Sequence, residues 1–267
     1  MQPQTNIVII GTGNLAFHLS NAIKQHSHIN LIQLFNHRLT KEALLLAKQN
    51  QCSLVSNYNE IIPTAHIYII CVNDNSIKEV AKNLIPLHLK NLVVHTSGST
   101  DLSVLANVSK QTGVFYPLQT FSKNDIIDWS SIPLLIEANT KGTLTKLKLF
   151  SSLFSSIIKN INSQKRLNIH LAAVFGCNFT NALYAVSYQL MEQSLSKNDV
   201  NLLMPILKQS FNKLQNIGPI NAQTGPAKRN DLVTIQKHLI LLKQNKHLIP
   251  IYKSLSQLIK TQQNVKL

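Results

Sequence analysis

A glycine-rich turn near the start of the chain is the feature that points most directly to chemistry. Gly11-Thr12-Gly13-Asn14-Leu15-Ala16 follows an apolar run at residues 7–10 and opens a helical pattern at residues 14–26. In such a G-x-G-x-x-A turn, the first glycine permits the tight turn, the second lets the backbone approach a pyrophosphate, and the small third residue allows close packing of the helix. The helix N-terminus offers free N–H groups to the phosphates. The spacing therefore predicts a dinucleotide site at residues 11–16, and a purely structural glycine turn is the alternative.

The end of the second predicted strand bears on which dinucleotide would bind. This strand leads into Asn36-His37-Arg38. Proteins that prefer NAD usually have an acidic residue at this place, where it binds the ribose hydroxyls. A carboxylate would repel a 2′-phosphate, whereas the guanidinium of Arg38 can form a planar, charge-assisted pair with one. We therefore expect NADP rather than NAD, and the alternative is that Arg38 is a solvated surface cation.

Polar residues also follow the third and fourth predicted strands, at the edge where ligands of doubly wound sheets bind. The third strand leads into Val72-Asn73-Asp74, which we assign to the cofactor site. Asp74 is equally well interpreted as the cap of the helix that begins near Ser76. The fourth strand leads into His95-Thr96-Ser97-Gly98, where His95 and Ser97 are candidate substrate or proton-transfer groups. The alternative for this segment is a simple turn.

A further polar group lies on the first long helix of the second half. At 100° per residue, Cys177 and Asn181 each project within about 20° of His170, with Asn178 beside them. A buried face with this hydrogen-bonding capacity needs partners, and a ligand is one solution. We therefore add His170, Asn178 and Asn181 to the candidate catalytic residues, with His170 as an acid or base. The alternative is a set of satisfied core polar groups with a histidine in water.

The loop at residues 224–231 precedes another helix, with Asn230 or Asp231 as its cap. Its backbone N–H groups and the cations Lys228 and Arg229 suit an anionic group. The same loop is equally suited to brace an interface between domains, with Arg229 and Asp231 as a structural pair.

Two kinds of sequence pattern divide the chain into two parts, whose strands and helices must position these residues. Up to residue 161, short β-branched runs alternate with helical stretches, and continuous apolar runs are typical of strands buried on both faces. Beyond residue 163 long helices follow, interrupted by a Gly/Pro-rich loop at residues 218–226 that we expect to be irregular. The sequence predicts an α/β fold: a doubly wound parallel sheet in residues 1–162 that binds the dinucleotide, and an all-α domain in residues 163–267. The predicted strands are residues 7–10, 31–36, 66–72, 92–96, 113–116, 134–137 and 157–161. The predicted helices of the second half are residues 164–193, 198–215, 231–244 and 248–261.

Composition narrows the class of protein. The net charge of +15 comes mostly from scattered lysines, without a nucleic-acid-binding motif, so we do not expect a nucleic-acid partner. Cys52, Cys71 and Cys177 lie among apolar residues, a pattern typical of reduced core thiols rather than of a disulfide framework or a metal site. The N-terminus lacks a secretory pattern, and the most apolar runs are shorter than the ~20 residues of a membrane span. We therefore expect a cytoplasmic protein without a metal or a membrane span.

Three further segments carry a resemblance to a known family; they are residues 113–122, 170–181 and 223–229. The chain resembles the Rossmann-like oxidoreductases whose C-terminal half is a domain of unknown function, number 2520. These proteins are similar in turn to pyrroline-5-carboxylate reductase, prephenate dehydrogenase and the 6-phosphogluconate dehydrogenase group. The resemblance implies NADP binding, an interdomain active site and a homodimer formed through the helical domain. Many relatives have histidine at the position of Tyr116, so the resemblance itself gives no support to an acid or base role there.

Two functions follow as hypotheses. The first is an NADP-dependent oxidoreductase that transfers a hydride between the nicotinamide and a small, anionic substrate in the interdomain cleft. The second is a non-catalytic dinucleotide-binding or redox-sensing module, because a fold alone does not establish chemistry.

Overall fold

The chain is built around one large β-sheet. The computed structural model describes residues 4–195 and 197–264. The strands within these residues are β1 Thr5–Ile10, β2 Ile29–Phe35, β3 Ser53–Val55, β4 Ile67–Ile70, β5 Leu92–His95, β6 Thr112–Pro117, β7 Leu134–Ala138 and β8 Ile158–Asn160. They are hydrogen-bonded in the order β3-β2-β1-β4-β5-β6-β7-β8. The predicted α/β doubly wound sheet is confirmed, and the strand order reverses direction next to β1.

The apolar runs form strands because both faces of the sheet are covered. Along β1, Ile7 and Ile9 belong to one hydrophobic cluster, whereas Val8 and Ile10 belong to another. All four side chains are fully buried. Since successive side chains of a strand point to opposite faces, the two clusters are the two layers between the sheet and its helices.

The sheet differs from the prediction at its edges. β3 is a short additional strand that pairs with β2, and β7 runs antiparallel to β6. The chain between β6 and β7 contains one short 3₁₀ turn and no crossover helix. A connection between parallel strands must carry the chain back to the opposite end of the sheet. The connection between β6 and β7 instead begins and ends at the same end of the sheet, so the two strands are antiparallel. β8 is again parallel to β7 after a helical crossover.

The helices among the described residues include four that pack on the two faces of the sheet, which are the first four named below, and those of the second half of the chain. They are α1 Asn14–Ile23, α2 Lys41–Asn50, α3 Asp74–Leu84, α4 Lys141–Ser151, α5 Ser163–Ala173, α6 Thr180–Glu192, α7 Met204–Ala222, α8 Leu232–Leu241 and α9 Leu248–Asn264. A π-helical segment, Val174–Phe179, joins α5 to α6. The expectation of an irregular loop from residue 218 is partly wrong. α7 continues to Ala222 across a kink at Gly218, whose φ of 74° is outside the helical region.

Two compact units make up the chain, Met1–Asn181 and Ala182–Leu267. The predicted boundary after residue 162 marks the end of the strands, whereas the first unit also includes α5 and the π-helical segment. One described helical stretch, Ser163–Glu192, is long and apolar enough to cross a membrane by length and composition alone. Core helices of soluble proteins also pass this test, but they are mostly buried, whereas the most apolar 18 residues of this stretch are not. The expectation of three core thiols is wrong for Cys177, which is exposed, while Cys71 is buried, Cys52 is half-buried and all three are free.

Candidate functional site

The glycine turn lies at the point where the strand order reverses. Gly11 has a φ of 108°, a conformation that favours glycine, and a Cβ atom there would overlap the carbonyl of Cys71. The Gly11 N–H donates to the Phe35 carbonyl at 2.8 Å, and the Cys71 N–H donates to the Ile10 carbonyl at 2.7 Å. The turn is therefore fixed between the ends of β2 and β4. Ala16 is fully buried behind it, as the close packing of α1 requires.

Gly13 presents the free end of a helix to open space. It is the N-cap residue of α1, and no side chain caps this helix. A Cβ atom on Gly13 would have no described neighbour within 4 Å. The first N–H groups of α1 and its positive dipole end therefore face a space that suits a pyrophosphate. This arrangement fits a dinucleotide.

Two cavities open along the carboxyl ends of the strands. The first has a volume of about 770 Å³ and the second about 460 Å³. The cofactor residues predicted from the sequence that line the first are Gly11, Thr12, Gly13, Asn36, His37, Val72 and Asn73. Those that line the second are Gly13, Asn14, Leu15, Val72, Asn73 and Asp74, and Thr96 joins them. In doubly wound sheets, ligands bind in this crevice at the switch point of the strand order.

Arg38 occupies a different place from the one predicted. Its backbone carbonyl accepts hydrogen bonds from the Asn36 side chain at 2.6 Å and the Thr40 N–H at 3.0 Å. Its side chain is exposed, and Arg38 is absent from the lining of the first cavity, which includes its neighbours Asn36 and His37. Arg38 is thus at the rim rather than in the wall.

Sequence reasoning missed Thr40, Glu42 and Lys123, which also line the first cavity. Lys123 comes from the loop after β6. Asn14 donates to the Phe121 carbonyl at 2.8 Å, and the buried ring of His18 donates to the Ser122 carbonyl at 2.7 Å, so both tie this loop to α1. The pKa of Glu42 is lowered by hydrogen bonds to its own backbone N–H and to Thr40, and to a lesser extent by the charge of Lys123.

Asp74 does not cap a helix. The N-cap position of α3 is Asn73, and no side chain caps that helix. The Asp74 carboxylate instead accepts a hydrogen bond of 2.5 Å from the Ser99 hydroxyl. The capping interpretation is therefore wrong, and Asp74 links α3 to the loop after β5. Its contact with a cofactor stays a prediction.

The segment after β5 is a tightly bonded turn. His95 is fully buried, and its Nδ1 accepts a hydrogen bond of 3.2 Å from the Ser97 N–H. Burial, helped by the charge of Arg166, lowers the pKa of His95 to about 4, so the ring is neutral at physiological pH. The Ser97 hydroxyl accepts from the N–H groups of Ser99 and Thr100 at 3.1 and 2.9 Å. This geometry favours the turn interpretation of His95 and Ser97, and their part in proton transfer stays a prediction.

His170 lies beside this turn and pairs with a residue outside the predicted site. The Tyr116 hydroxyl and His170 Nδ1 are 3.2 Å apart, and both side chains are half-buried. A Cβ atom on Gly98 would lie 2.7 Å from His170 Nδ1 and 2.7 Å from Tyr116 Cζ. The turn after β5, the end of β6 and α5 therefore meet at one place. The signal that could have identified Tyr116 is its position directly before the end of β6.

The predicted polar face of the long helix is wrong in two respects. Cys177, Asn178 and Asn181 are exposed rather than buried. The π-helical segment also breaks the assumption of 100° per residue between His170 and Asn181, because a π-helix has more residues per turn. Such single-turn π segments are frequent at functional sites, and the catalytic assignment of Asn178 and Asn181 stays a prediction.

The loop at residues 224–231 belongs to the second unit. Asp231 caps α8, because its carboxylate accepts from the Thr234 N–H at 3.0 Å and the Thr234 hydroxyl at 2.8 Å. Lys228 donates to the Gln223 carbonyl at 2.8 Å. The pKa of Asp231 is lowered mainly by its bonds to Thr234 and less by the charge of Arg229. Of the two predicted caps, the structure selects Asp231.

Comparisons with known proteins agree with this architecture. The family model described as "Domain of unknown function (DUF2520)" matches residues 132–259. The chain is 33% identical to BF3122 from Bacteroides fragilis, which is provisionally named an NADP oxidoreductase. That match has a TM-score of 0.88 and covers 97% of this chain and 98% of the other. None of the curated proteins compared matches the chain.

More distant solved structures share the fold. A reductive aminase from Aspergillus terreus, in complex with NADPH4, cyclohexanone and allyl amine, has 17% identity and a TM-score of 0.67, with 97% of this chain and 93% of that chain covered. A 1-pyrroline-5-carboxylate reductase from Streptococcus pyogenes has 14% identity and a TM-score of 0.59, with coverages of 98% and 99%.

Proposed function

Because the chain belongs to the Rossmann-like oxidoreductase family that carries the DUF2520 domain, we propose that it is an NADP-dependent oxidoreductase. It transfers a hydride between the nicotinamide and a small, anionic substrate. The observation that carries this proposal is the uncapped N-terminus of α1 at Gly13, which faces open space at the switch point of the sheet. The similarity to BF3122 supports the same class of activity.

The two cavities suggest how the chain holds the cofactor. The N–H groups at the start of α1 bind the pyrophosphate, and the first cavity, with Asn36 and His37, takes the adenosine half. The second cavity, with Asp74 and Thr96, takes the nicotinamide half. Bound there, the nicotinamide supplies or accepts the hydride, and the side chains around it orient the substrate.

NADP is the proposed cofactor because Lys123 and Arg38 provide positive charge at the adenosine end and no acidic residue directly follows β2. His37 and Lys123 line the first cavity, Arg38 lies at its rim, and the strand β2 is followed by Asn36 rather than by an acidic residue. Glu42 and Glu79 line the same cavity and oppose this preference, and the charge of Lys123 offsets that of Glu42. A 2′-phosphate gains charge-assisted hydrogen bonds from these cations.

The proposed substrate site follows β5 and β6, next to the nicotinamide end. His170 is the acid or base, and the exposed amides of Asn178 and Asn181 on the π-helical segment and the start of α6 are hydrogen-bonding groups for the substrate. An anionic substrate is favoured by the net charge of +15, because a positive protein field attracts anions.

Calorimetric titration with NADP+, NADPH, NAD+ and NADH tests the cofactor proposal. We expect micromolar binding of the phosphorylated pair. Gly13→Ala adds a methyl group to the space assigned to the pyrophosphate without touching any described neighbour, so it should fold normally and weaken NADPH binding at least tenfold.

Gly142→Ala is the matched control. Gly142 also lies in the first turn of a helix, α4, with open space around its Cβ position. Since β7 is antiparallel to β6, α4 begins at the opposite edge of the sheet from α1. Wild-type affinity in both variants would show that the α1 N-terminus does not hold the pyrophosphate. Failure of all four nucleotides to bind wild-type protein would refute the oxidoreductase proposal.

We also propose a cytoplasmic homodimer formed through the helical region. Large apolar side chains recur every four residues along Ser163–Glu192 and are exposed in the single chain; they are Leu167, Leu171, Phe175, Phe179 and Leu183. Exposed apolar surface of this kind marks an interaction site, and a second copy would cover it. Sedimentation velocity should give a dimer that Phe175→Glu dissociates and that Leu149→Glu, at a still more exposed apolar site on α4, leaves intact. A monomeric wild-type protein that binds phospholipid vesicles would contradict this.

A further inference from the structure

Tyr116 and His170 form a hydrogen-bonded pair that the cofactor site does not explain. The Tyr116 hydroxyl lies 3.2 Å from His170 Nδ1, and the rings meet edge to face with centroids 6.1 Å apart. Tyr116 is near the end of β6, and His170 is in the last turn of α5. Two separate elements thus present one proton-carrying pair, with both side chains half-buried.

The register of the sheet places this pair at the edge where the cavities open. Val114 on β6 pairs with His95 on β5. Tyr116 is therefore level with Ser97, two residues further along each chain and beyond the end of β5. Thr96, which lines the second cavity, belongs to the same turn.

Gly98 shows that the turn and the pair are in direct contact. A Cβ atom at this position would lie 2.7 Å from His170 Nδ1 and 2.9 Å from the Tyr116 hydroxyl oxygen. These distances are too short for any other residue type unless the pair moves. Asp74, which lines the second cavity, accepts a hydrogen bond from Ser99 of this turn, so the turn connects the pair to the proposed nicotinamide end of the cofactor.

Burial, together with the carboxylate of Asp74, keeps the Tyr116 hydroxyl protonated. Burial raises the pKa of Tyr116, the carboxylate of Asp74 raises it further, and the guanidinium of Arg166 acts in the opposite direction. A protonated phenol is an acid, and it can give up its proton most readily where a second group restores it. His170 Nδ1 is the group within hydrogen-bond distance.

We propose that Tyr116 is the proton donor of the reduction and that His170 returns the proton to it. This inference rests on the proposed function. When bound, the reduced cofactor would supply a hydride to the carbon of a carbonyl or imine group, and the π electron pair of that group would move to its oxygen or nitrogen. The Tyr116 O–H donates its proton to this atom, and protonated His170 donates its Nδ1 proton to the phenolate. The products are an alcohol or amine, oxidised cofactor and neutral His170, and a proton from water restores the histidine.

The position of the pair is tested by NMR of the histidine ring nitrogens in full-length protein. The probes are NADP+ and adenosine 2′,5′-bisphosphate, which lacks the nicotinamide half. NADP+ should shift the signals of both His37, which lines the first cavity, and His170, whereas the bisphosphate should shift only His37. If NADP+ shifts His37 but leaves His170 unchanged, the pair is remote from the nicotinamide and the inference is wrong, although the cofactor proposal survives.

The catalytic role is tested by the rate of NADPH oxidation with a panel of 2-oxo acids, ketones and cyclic imines. Tyr116→Phe should lower kcat by about 10²-fold or more and leave the NADPH dissociation constant unchanged. The matched control is Tyr252→Phe. Tyr252 makes the same kind of bond, 2.8 Å from its hydroxyl to His238 Nδ1, in the second compact unit. It should leave kcat unchanged.

The outcomes separate the inference from the proposed function. Equal kcat values for Tyr116→Phe and wild type would overturn the role of Tyr116 while leaving an NADPH-dependent reductase. A wild-type protein that binds NADPH and reduces no member of the panel would also remove the catalytic claim. Failure to bind NADPH would refute the proposed function and, with it, the inference.

Discussion

Glu137→Gln should strongly destabilise the first compact unit, and by more than Arg166→Met, although both variants break the same ion pair. Arg166 on α5 is 1% exposed, and its Nη1 donates to Glu137 Oε2 at 2.5 Å, while Glu137 on β7 is 17% exposed. Arg166 Nη2 donates to the Thr100 carbonyl at 2.5 Å and to Ser163 Oγ at 3.1 Å. This network joins β7, α5 and the turn after β5.

The loss in free energy of unfolding depends on whether the charged residue that remains in the ion pair can be solvated. Glu137→Gln leaves a fully buried guanidinium without its counter-charge, which costs about 3–5 kcal/mol. Arg166→Met removes that charge, and the partly exposed Glu137 can be rehydrated. The remaining cost is the unpaired carbonyl of Thr100, about 1–3 kcal/mol. The double variant should cost no more than Arg166→Met alone, so the coupling energy is about 3 kcal/mol or more.

Urea unfolding followed by tryptophan fluorescence measures these values. Trp129 is the one tryptophan of the chain, and it packs against Phe121 and Phe154 in the first compact unit, so it reports on the unit that contains the pair. With a slope of about 2–3 kcal/mol per molar urea, Glu137→Gln should lower the midpoint by about 1–2 M. Additive losses in the double variant, or a larger loss for Arg166→Met than for Glu137→Gln, would refute the reasoning.

Two further predictions concern the rim of the first cavity and a buried histidine. Arg38→Ala and Lys123→Ala should each weaken NADP binding about 3- to 10-fold more than NAD binding in calorimetric titrations, and equal losses for both cofactors would contradict the 2′-phosphate assignment. Because the pKa of His95 falls from 6.5 to about 4 on folding, the unfolded chain takes up a proton that the folded chain does not. The free energy of unfolding should therefore decrease by about 3 kcal/mol as the pH is lowered from 6.5 to 4. His95→Asn should remove this decrease in urea unfolding series at several pH values, and an unchanged slope would show that other groups cause it.

The strands and the cofactor turn could be predicted because their signals are local. Residues 7–10 form a continuous apolar run, and the structure buries all four on the two faces of β1. The glycine spacing that follows implies a tight turn and a free helix end, and both are present at Gly11 and Gly13. These features depend on neighbouring residues, so one sequence contains the information.

The walls of the first cavity could be predicted only in part, because some of them come from distant loops. Lys123 reaches the cavity through the bonds of Asn14 to Phe121 and of His18 to Ser122, which join residues more than 100 positions apart. No periodicity in the sequence encodes such a contact. Arg38 follows two residues of the cavity lining, yet its exposed side chain lies at the rim rather than in the lining itself, a difference that its charge and spacing do not reveal.

The helical repeat of the sequence predicts the long helix, but the structure does not keep that repeat along its whole length. The bounds of residues 164–193 agree with Ser163–Glu192, but the π-helical segment inside them changes the angle between His170 and Asn181. The prediction that the polar face of this helix is buried is wrong for a different reason. The apolar residues between the polar ones imply burial, although in the single chain this stretch remains exposed.

The distribution of buried polar atoms argues that the region behind the turn after β5 is built for positioning rather than for stability. Among the described residues, the buried side-chain atoms without a hydrogen-bond partner are Ser20 Oγ, His95 Nε2 and Arg166 Nε. Two of these three belong to the group of residues that holds the turn and α5. Each such atom costs about 1–3 kcal/mol, and apolar residues of similar volume would avoid that cost.

What the polar network provides instead is a fixed turn at Thr100 and Ser97, next to Gly98. Because a Cβ atom at Gly98 already overlaps Tyr116 and His170, a small shift of this turn would separate the pair. The polar network therefore lowers the stability of this region, but it fixes the turn after β5 and so holds the proposed proton donor Tyr116 in place.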